Sequence, residues 1–561
     1  MHDSEDFKPS TAYWAETHDV VNQPAALENY NVYTQDKALR EGVAAHGAGL
    51  SEEGLLKFGA VCGSSNTIEW GFQANEVKPV LHTHSRQGQR IDEVRFHPAY
   101  HQLMNLAVEE GLHASHWRDS HAGAQVERAA KYYMLAQVEA GHGCPITMTS
   151  AAIPALKNQA DLFKQWAPKI LASEYDPRNI PDSQKTALTV GMAMTEKQGG
   201  SDVRANSTRA YALGEGGPGQ AYELVGHKYF VSAPMSDLFL VLAQTTTGLS
   251  CFLVPRWRPD GTKNPIQIQK LKNKMGNVSN ASSETELRGA LGWMVGQEGR
   301  GVAAILEMVA MTRFDCMIGS SSGMRQAVAQ ITHHCSRRSA FGRPLIDQPL
   351  MQNVLADLVI EQEAALGLTL RIARALDNSE KDEREKALVR MGTAVGKYWI
   401  CKRSAGHAYE AMECIGGSGV MEDSIMPRLY REAPINAIWE GSGNVQCLDM
   451  MRALTKNPDS LDAFMEETAK ARGVNAQFDR AQQTLKSHFV SRDNMEFHAR
   501  TIVEHMALVI QASSLIQFGD STIADAFCRS RLSETNSGRV YGTLPDGIDC
   551  SFIIDRARPK L

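Results

Sequence analysis

Between about residues 96 and 185, apolar side chains recur every three or four positions, as in YHQLMNLAVEEGLHASHW and VERAAKYYMLAQVEAG. That spacing predicts helices that bury one face. Ahead of them, NQPAALENYNVY and GSSNTIEW hold no sustained period and predict loops between short helices. The texture changes near residue 188, where ALTVGMAMTE, AYELVGHKYFVSA, LFLVLAQTT and LSCFLVPR form short runs rich in Val, Leu, Phe and Tyr, separated by Gly- and Pro-bearing turns. These predict strands. GEGGPGQ, residues 214–220, lies between two of them and predicts a hairpin loop; no strand-to-helix context makes it a nucleotide loop. After Gly299-Arg300-Gly301, helical periodicity returns for about 150 residues, which predicts a bundle of long antiparallel helices. The polar gap TKNPDSLD then sets apart a last helical stretch. The fold class is therefore α+β and mainly helical: a helical N-terminal region 1–187, a β domain 188–298, a helical bundle 299–455 and an extra C-terminal helical domain 456–561.

Composition adds little push toward any partner. The net charge is -6 with 43% hydrophobic residues, ordinary for a globular protein and without the basic excess of a nucleic-acid binder. Ten cysteines are scattered singly with no CxxC pair, as expected of reduced core residues in a cytoplasmic protein. No run of about 18 apolar residues reads as a membrane span. Pro559-Lys560-Leu561 comes near a peroxisomal tripeptide but is wrong at its first position, so peroxisomal targeting is the weaker expectation.

Candidate chemistry centres on MTEKQGGSDV, residues 194–203, where Thr195 and Ser201 bracket adjacent glycines at the end of a strand. Glycines let backbone approach a flat or anionic ligand, and hydroxyls bond the heteroatoms of a polar ring. A plain Gly-rich turn has the same pattern. GHKYFVSAP, residues 226–234, sets Phe230 and Ser232 on one face of a strand, which suits the face of an isoalloxazine or ordinary core packing with a turn cap.

The order TE-x-x-x-GSD, G-x-K-x-[WF]-[IV]-[ST], R-x-x-F-G, GG-x-G and EG-[ST] resembles the acyl-CoA dehydrogenase family over roughly residues 100–450. The resemblance implies a helical, β-barrel, helical architecture and FAD as cofactor. It implies that Met194, Thr195, the backbone near Gly200, and Ser201 contact the flavin or the thioester arm, with Phe230, Val231 and Ser232 along the flavin. Arg338 and Phe341 resemble the pair offered by a neighbouring subunit to the pyrophosphate and adenine, and Gly416 and Gly417 would line the same dinucleotide. A homotetramer is then expected. In WEGSGN, Trp439, Ser442 and Asn444 would flank the cofactor and Glu440 would be the base that takes the α-proton of an acyl-CoA thioester. Some members carry the base on an earlier helix just before an Arg; here that position is Thr312, before Arg313. Lys197, Glu413 and Pro349 replace residues usual in the family, mostly on the adenine side.

CPITMT, NKMGNVSNASSE, MTRFDC and PRLYREAPINAIWEGSGN resemble one branch, flavoproteins of the adaptive response to alkylating agents. That branch implies an extra C-terminal helical domain, duplex DNA as a partner and weak dehydrogenase activity. Against DNA, the segment after Lys456 carries about as many acidic as basic residues, with Arg529, Arg531 and Arg539 loosely grouped. His82 with His84, and His333 with His334, lack further ligands at metal spacing, so no metal is expected. Met308 and Met311 read as helix core.

Overall fold

The first sustained helix, α1 (Lys37–His46), begins where the buried Asp36 carboxylate accepts the N–H of Leu39 at 3.0 Å, an N-cap that satisfies an otherwise orphaned donor. In a computed structural model, which describes residues 17–490, 493–533 and 540–561, α1 opens a front domain. The domain continues through α2 (Glu53–Cys62), α3 (Ser65–Glu76), a hairpin of β1 (Val80–His84) and β2 (Arg90–Arg95), α4 (Pro98–Glu109), α5 (Ser115–Arg118), α6 (Ala124–Ala136), α7 (Gly143–Lys157) and α8 (Ala160–Ile170).

The β domain comprises β3 (Val190–Ala193), β4 (Arg209–Ala212), β5 (Ala221–Ser232), β6 (Leu238–Gln244), β7 (Leu249–Pro255), β8 (Ile266–Leu271) and β9 (Ser282–Val295). Strand order is β3-β6-β4-β5-β9-β7 with β8 on β9, and a further β6–β7 ladder closes the sheet on itself. Residues 214–220 join the antiparallel pair β4 and β5, as the hairpin reading expects. Alternation along β6 explains its nearly complete burial. Phe239, Val241 and Ala243 fill the barrel, while Leu238, Leu240 and Leu242 pack outward against a cluster that includes Ile153 and Trp166 of the front domain and Met308 and Met311 of the next helix.

Helices α9 (Gly301–Ala304) and α10 (Leu306–Arg337) lead into the short hairpin β10 (Ser339–Ala340) and β11 (Arg343–Pro344). Helices α11 (Pro349–Asn378), α12 (Glu383–Ile415), α13 (Met426–Ile438) and α14 (Gly443–Lys456) complete the bundle. The C-terminal extension supplies α15 (Asp459–Ala469), α16 (Ala476–Ser487), α17 (Met495–Phe518), α18 (Ser521–Arg531) and α19 (Cys550–Ala557). One apolar core runs from Leu27 through the bundle to Ala557, so the extension shares it with the front domain. By length and composition α17 is apolar enough to cross a membrane, but most of it is buried in that core. Nine of the ten cysteines are buried, and all ten are free.

The extension is tied down by ions. Helix α11 carries Asp357, Glu361 and Glu363 fully buried. Arg531 pairs with Asp357 and Glu361, Arg556 with Glu363 and Glu41, and Arg403 of α12 with Glu361 at 2.9 Å. Buried carboxylates without cations would be strongly destabilising, so α11 needs the extension's arginines.

Candidate functional site

The strand-end segment that begins at Met194 runs beside β5: Tyr229 N–H donates to Thr195 O at 2.9 Å, and Lys197 N–H to His227 Nε2 at 3.1 Å. A Cβ on Gly200 would lie 2.5 Å from Thr195 Oγ1, so only glycine lets the chain fold back there. Gly200 and Ser201 are exposed, and Met194 is half-buried with its carbonyl accepting Asn206 Nδ2 at 2.9 Å. On β5 the pairing with β9 slips between Lys228 and Val231. Such a bulge re-aims side chains. Lys228 points into the interior, Phe230 faces outward at 44% exposed, Val231 enters the barrel core, and Ser232 faces outward again with its hydroxyl 3.0 Å from Ser282 Oγ. The Val231 side chain is thus withdrawn, and only its backbone borders the face.

Sequence reasoning missed what joins these two motifs. Lys228 Nζ donates to Glu196 Oε1 at 2.9 Å, and both side chains are fully buried. Glu196 also accepts from Ser207 and Thr208. Burial works to raise the Glu196 carboxyl, but Lys228 and these donors hold it well below the usual range. Burial draws Lys228 down to about 8 against the pull of Glu196. Opposite charges at fixed places in the two motifs were the available signal.

Glu440 sits where front domain, barrel and bundle meet. Its neighbour Trp439 packs in a small cluster with Cys144 and Met148 of α7, Met192 of β3 and Ala233, the residue after Ser232. Glu440 has φ 54° and Gly441 φ 95°, a left-handed turn between α13 and α14. Thr312 of α10 has its hydroxyl 2.8 Å from Glu440 Oε2 and 3.0 Å from Val309 O. Arg313 Nε donates to Glu440 O at 2.9 Å while its NH1 pairs with Asp449 at 2.8 Å. Ser442 is the N-cap of α14 but its side chain makes no cap bond, and Asn444 lies exposed in the first turn. The free amides of that turn, with the helix dipole behind them, form an anion-binding end. Beside Ser232, Lys274 Nζ donates to Ser282 Oγ at 2.9 Å and lines a polar cleft of about 530 Å³ shared with Lys78, Arg428 and Glu432.

The remaining candidates lie elsewhere. Arg338 follows α10 and its NH1 donates to Asn22 O at 2.6 Å; Phe341, at φ 52°, is 96% exposed. Gly416 and Gly417 are exposed at the end of α12, with open space where a side chain would be. Cys335 against Cys414 O places these two motifs at one end of the bundle. From Thr312 to Arg337 the helix α10 covers roughly 38 Å at 1.5 Å per residue, so the two groups stand far apart within one chain. Arg531 is buried in its ion pairs and Arg529 donates to the carbonyls of Asp546 and Gly547, which takes Arg531 off any surface; Arg539 is outside the described residues. His333 Nε2 bonds Ala25 O at 2.8 Å, and no group of three or more metal-ligating side chains occurs among the described residues.

Residues 22–177 match the AidB N-terminal domain, 191–290 the acyl-CoA dehydrogenase middle domain and 299–455 the acyl-CoA dehydrogenase C-terminal domain. AidB of Escherichia coli (strain K12) is 44% identical over 530 residues, covering 94% of this chain and 96% of that protein. The chain belongs to the acyl-CoA dehydrogenase family. Acyl-CoA dehydrogenase family member 11 of Caenorhabditis elegans is 31% identical over 73% of this chain and 68% of its own. Among solved structures, Caenorhabditis elegans ACDH-11 in complex with C11-CoA superposes with a TM-score of 0.82 at 26% identity over 93% of each chain. An acyl-CoA dehydrogenase of Bacillus anthracis complexed with FAD, at 18% identity and a TM-score of 0.63, shows the shared fold over 78% of this chain and 81% of that one. The Trp439 cluster with Ala233 sets the Glu440 turn beside the end of β5.

Proposed function

We propose that the protein is an FAD-dependent acyl-CoA dehydrogenase in which Glu440 is the base. The observation that carries this is the Thr312–Glu440 contact. The earlier-helix position from which other members supply a carboxylate lies 2.8 Å from this carboxylate, so either placement serves the same space. The residues present fit FAD, with an outward aromatic at Phe230, hydroxyls at Thr195 and Ser232, and an uncapped helix end at Ser442 for phosphate. When bound, FAD supplies a hydride acceptor for the acyl Cβ.

The chain's own residues do the rest. A hydrogen bond from Thr312 to Oε2 leaves Oε1 of Glu440 as the acceptor for the α-proton. Thr195, Ser201 and Ser232 offer hydroxyls to the polar edges of the bound groups, and Trp439 with Met148 and Met192 gives the turn an apolar backing that limits water. An acyl-CoA thioester is the substrate class, in keeping with the C11-CoA held by the C. elegans relative. Because Arg338 and Phe341 stand too far from Glu440 for one dinucleotide to touch both, a second copy's hairpin would complete the adenine end, and the assembly is at least a dimer and by family resemblance a homotetramer.

Anaerobic addition of a panel of acyl-CoAs to the yellow holoprotein tests the reading. Prompt bleaching of the flavin by one member is the expected result, and a flavin that none of them bleaches sinks it. The alternative of a DNA-associated flavoprotein with weak dehydrogenase activity keeps the AidB similarity as its support. Titration of labelled duplex DNA at about 0.15 M salt decides it, since phosphate contacts make affinity fall steeply with salt.

A further inference from the structure

Three successive carbonyls, those of residues 439–441, are each held by a side chain from another part of the fold. Lys397 Nζ donates to Trp439 O at 2.8 Å and also to Gly441 O. Arg313 takes Glu440 O, and Gln446 Nε2 reaches Glu440 O at 3.1 Å and Gly441 O at 2.9 Å. Lys397 is the unusual member. It lies on α12, 1% exposed, and among the described residues it forms no ion pair with a carboxylate. A buried ammonium is costly unless dipoles or anions surround it. Here the compensation comes from the carbonyls just beyond the C-terminal end of α13, the negative end of that helix.

The backbone it grips is the stretch that needs a grip. Glu440 adopts a left-handed φ of 54°, a conformation that non-glycine residues disfavour, and that turn leaves its carboxylate against Thr312. Arg313 bonds the middle of the turn and Gln446 its middle and far end, whereas Lys397 ties the near end, Trp439 O, to Gly441 O. Removing the bridge lets the peptide planes on either side of Glu440 rotate.

We infer that Lys397 is a positioning residue for dehydrogenation: its buried ammonium clamps the Trp439–Gly441 backbone and thereby aims the Glu440 carboxylate. The inference rests on the base assigned to Glu440 above. A lysine that merely caps α13 would contribute stability without affecting the direction of the carboxylate.

Two measurements on the full-length holoprotein separate these roles. In Lys397→Met, amide hydrogen exchange over residues 438–446 is expected to rise at least about 10-fold while α6 and α7 exchange as in the parent. Single-turnover flavin reduction by a reactive acyl-CoA is expected to slow roughly 10- to 100-fold, the scale of a misplaced catalytic group. In the Glu440→Gln background the same Lys397→Met change is expected to slow reduction no further, because a residue acting through Glu440 has nothing left to aim. Lys397→Gln, which retains one donor for one carbonyl, is expected to fall between the parent and Lys397→Met, and it replaces the latter should that variant fail to fold. Unchanged exchange over 438–446, or an equal slowing with and without Glu440, overturns the inference. Failure of the dehydrogenase reading shows separately, as a parent flavin that no acyl-CoA bleaches, and the exchange measurement then decides the clamp alone.

Discussion

Glu440, the base proposed above, stands 2.8 Å from the Thr312 hydroxyl. The Glu440→Gln change keeps the size and the Thr312 contact but removes the proton acceptor. Flavin is expected to stay bound while its reduction by acyl-CoA slows roughly 10²- to 10⁴-fold, about 3 to 5 kcal/mol of barrier. Adding Thr312→Glu to that variant extends a carboxyl from the position whose Oγ1 stands 2.8 Å from Oε2, and stopped-flow reduction is expected to recover part of the loss. Parent-like rates in Glu440→Gln would assign the proton to another group. At this scale the sequence was legible where the two-residue period of a strand sets direction, as with Phe230 and Ser232 on one face. It was silent where chemistry needs partners distant along the chain. Lys397 reads as one more charge on a long helix, and nothing near it in sequence announces two carbonyls more than forty positions away.

Among the elements, α11 shows most clearly what periodicity cannot reveal. Its apolar stripe predicted a bundle helix, but Asp357, Glu361 and Glu363 are buried in it because their cations arrive from the extension. Arg531→Met removes one cation from two buried carboxylates and is expected to cost about 3 to 5 kcal/mol, read as a lowered midpoint in denaturant unfolding. Arg529→Glu, at a half-exposed position, is expected to shift the midpoint far less. Equal shifts in the two variants would contradict the buried network. The two arginines that look alike as a loose basic group in sequence therefore differ in kind. The barrel was more legible, since alternating residues of β6 face two apolar environments; the bulge that turns Phe230 outward leaves no mark in composition.

For the molecule as a whole, pH and assembly give two further tests. Burial lowers His113 and His407 to about 4 and His46 to about 3, so each is neutral when folded at pH values where the unfolded chain binds a proton. Their folded values lie below the unfolded one. The stability they support is therefore complete above pH 6.5 and is lost as pH falls toward 4, at up to about 1.4 kcal/mol per pH unit for each group. Thermal midpoints are expected to drop steeply between pH 6.5 and 4, and His407→Gln is expected to flatten that slope; a flat parent profile would contradict it. If a second copy's hairpin completes the adenine end as proposed, Arg338→Ala is expected to weaken both FAD retention and self-association, measured by flavin release and by light scattering. Unchanged retention would leave the adenine end to residues of the same chain.

The last helix reaches back to the first. Arg325 donates to Ala557 O and Gln35 O, each at 2.7 Å, Lys560 N–H donates to Gln35 Oε1 at 2.7 Å, and Arg556 meets Glu41 of α1. During translation α1 emerges from the ribosome some five hundred residues before these partners exist. Until then Glu41 lacks Arg556, and α11 holds carboxylates whose counter-ions are still unmade. A chain without α18 and α19 would therefore leave Asp357 and Glu363 of α11 without the arginines that neutralise them.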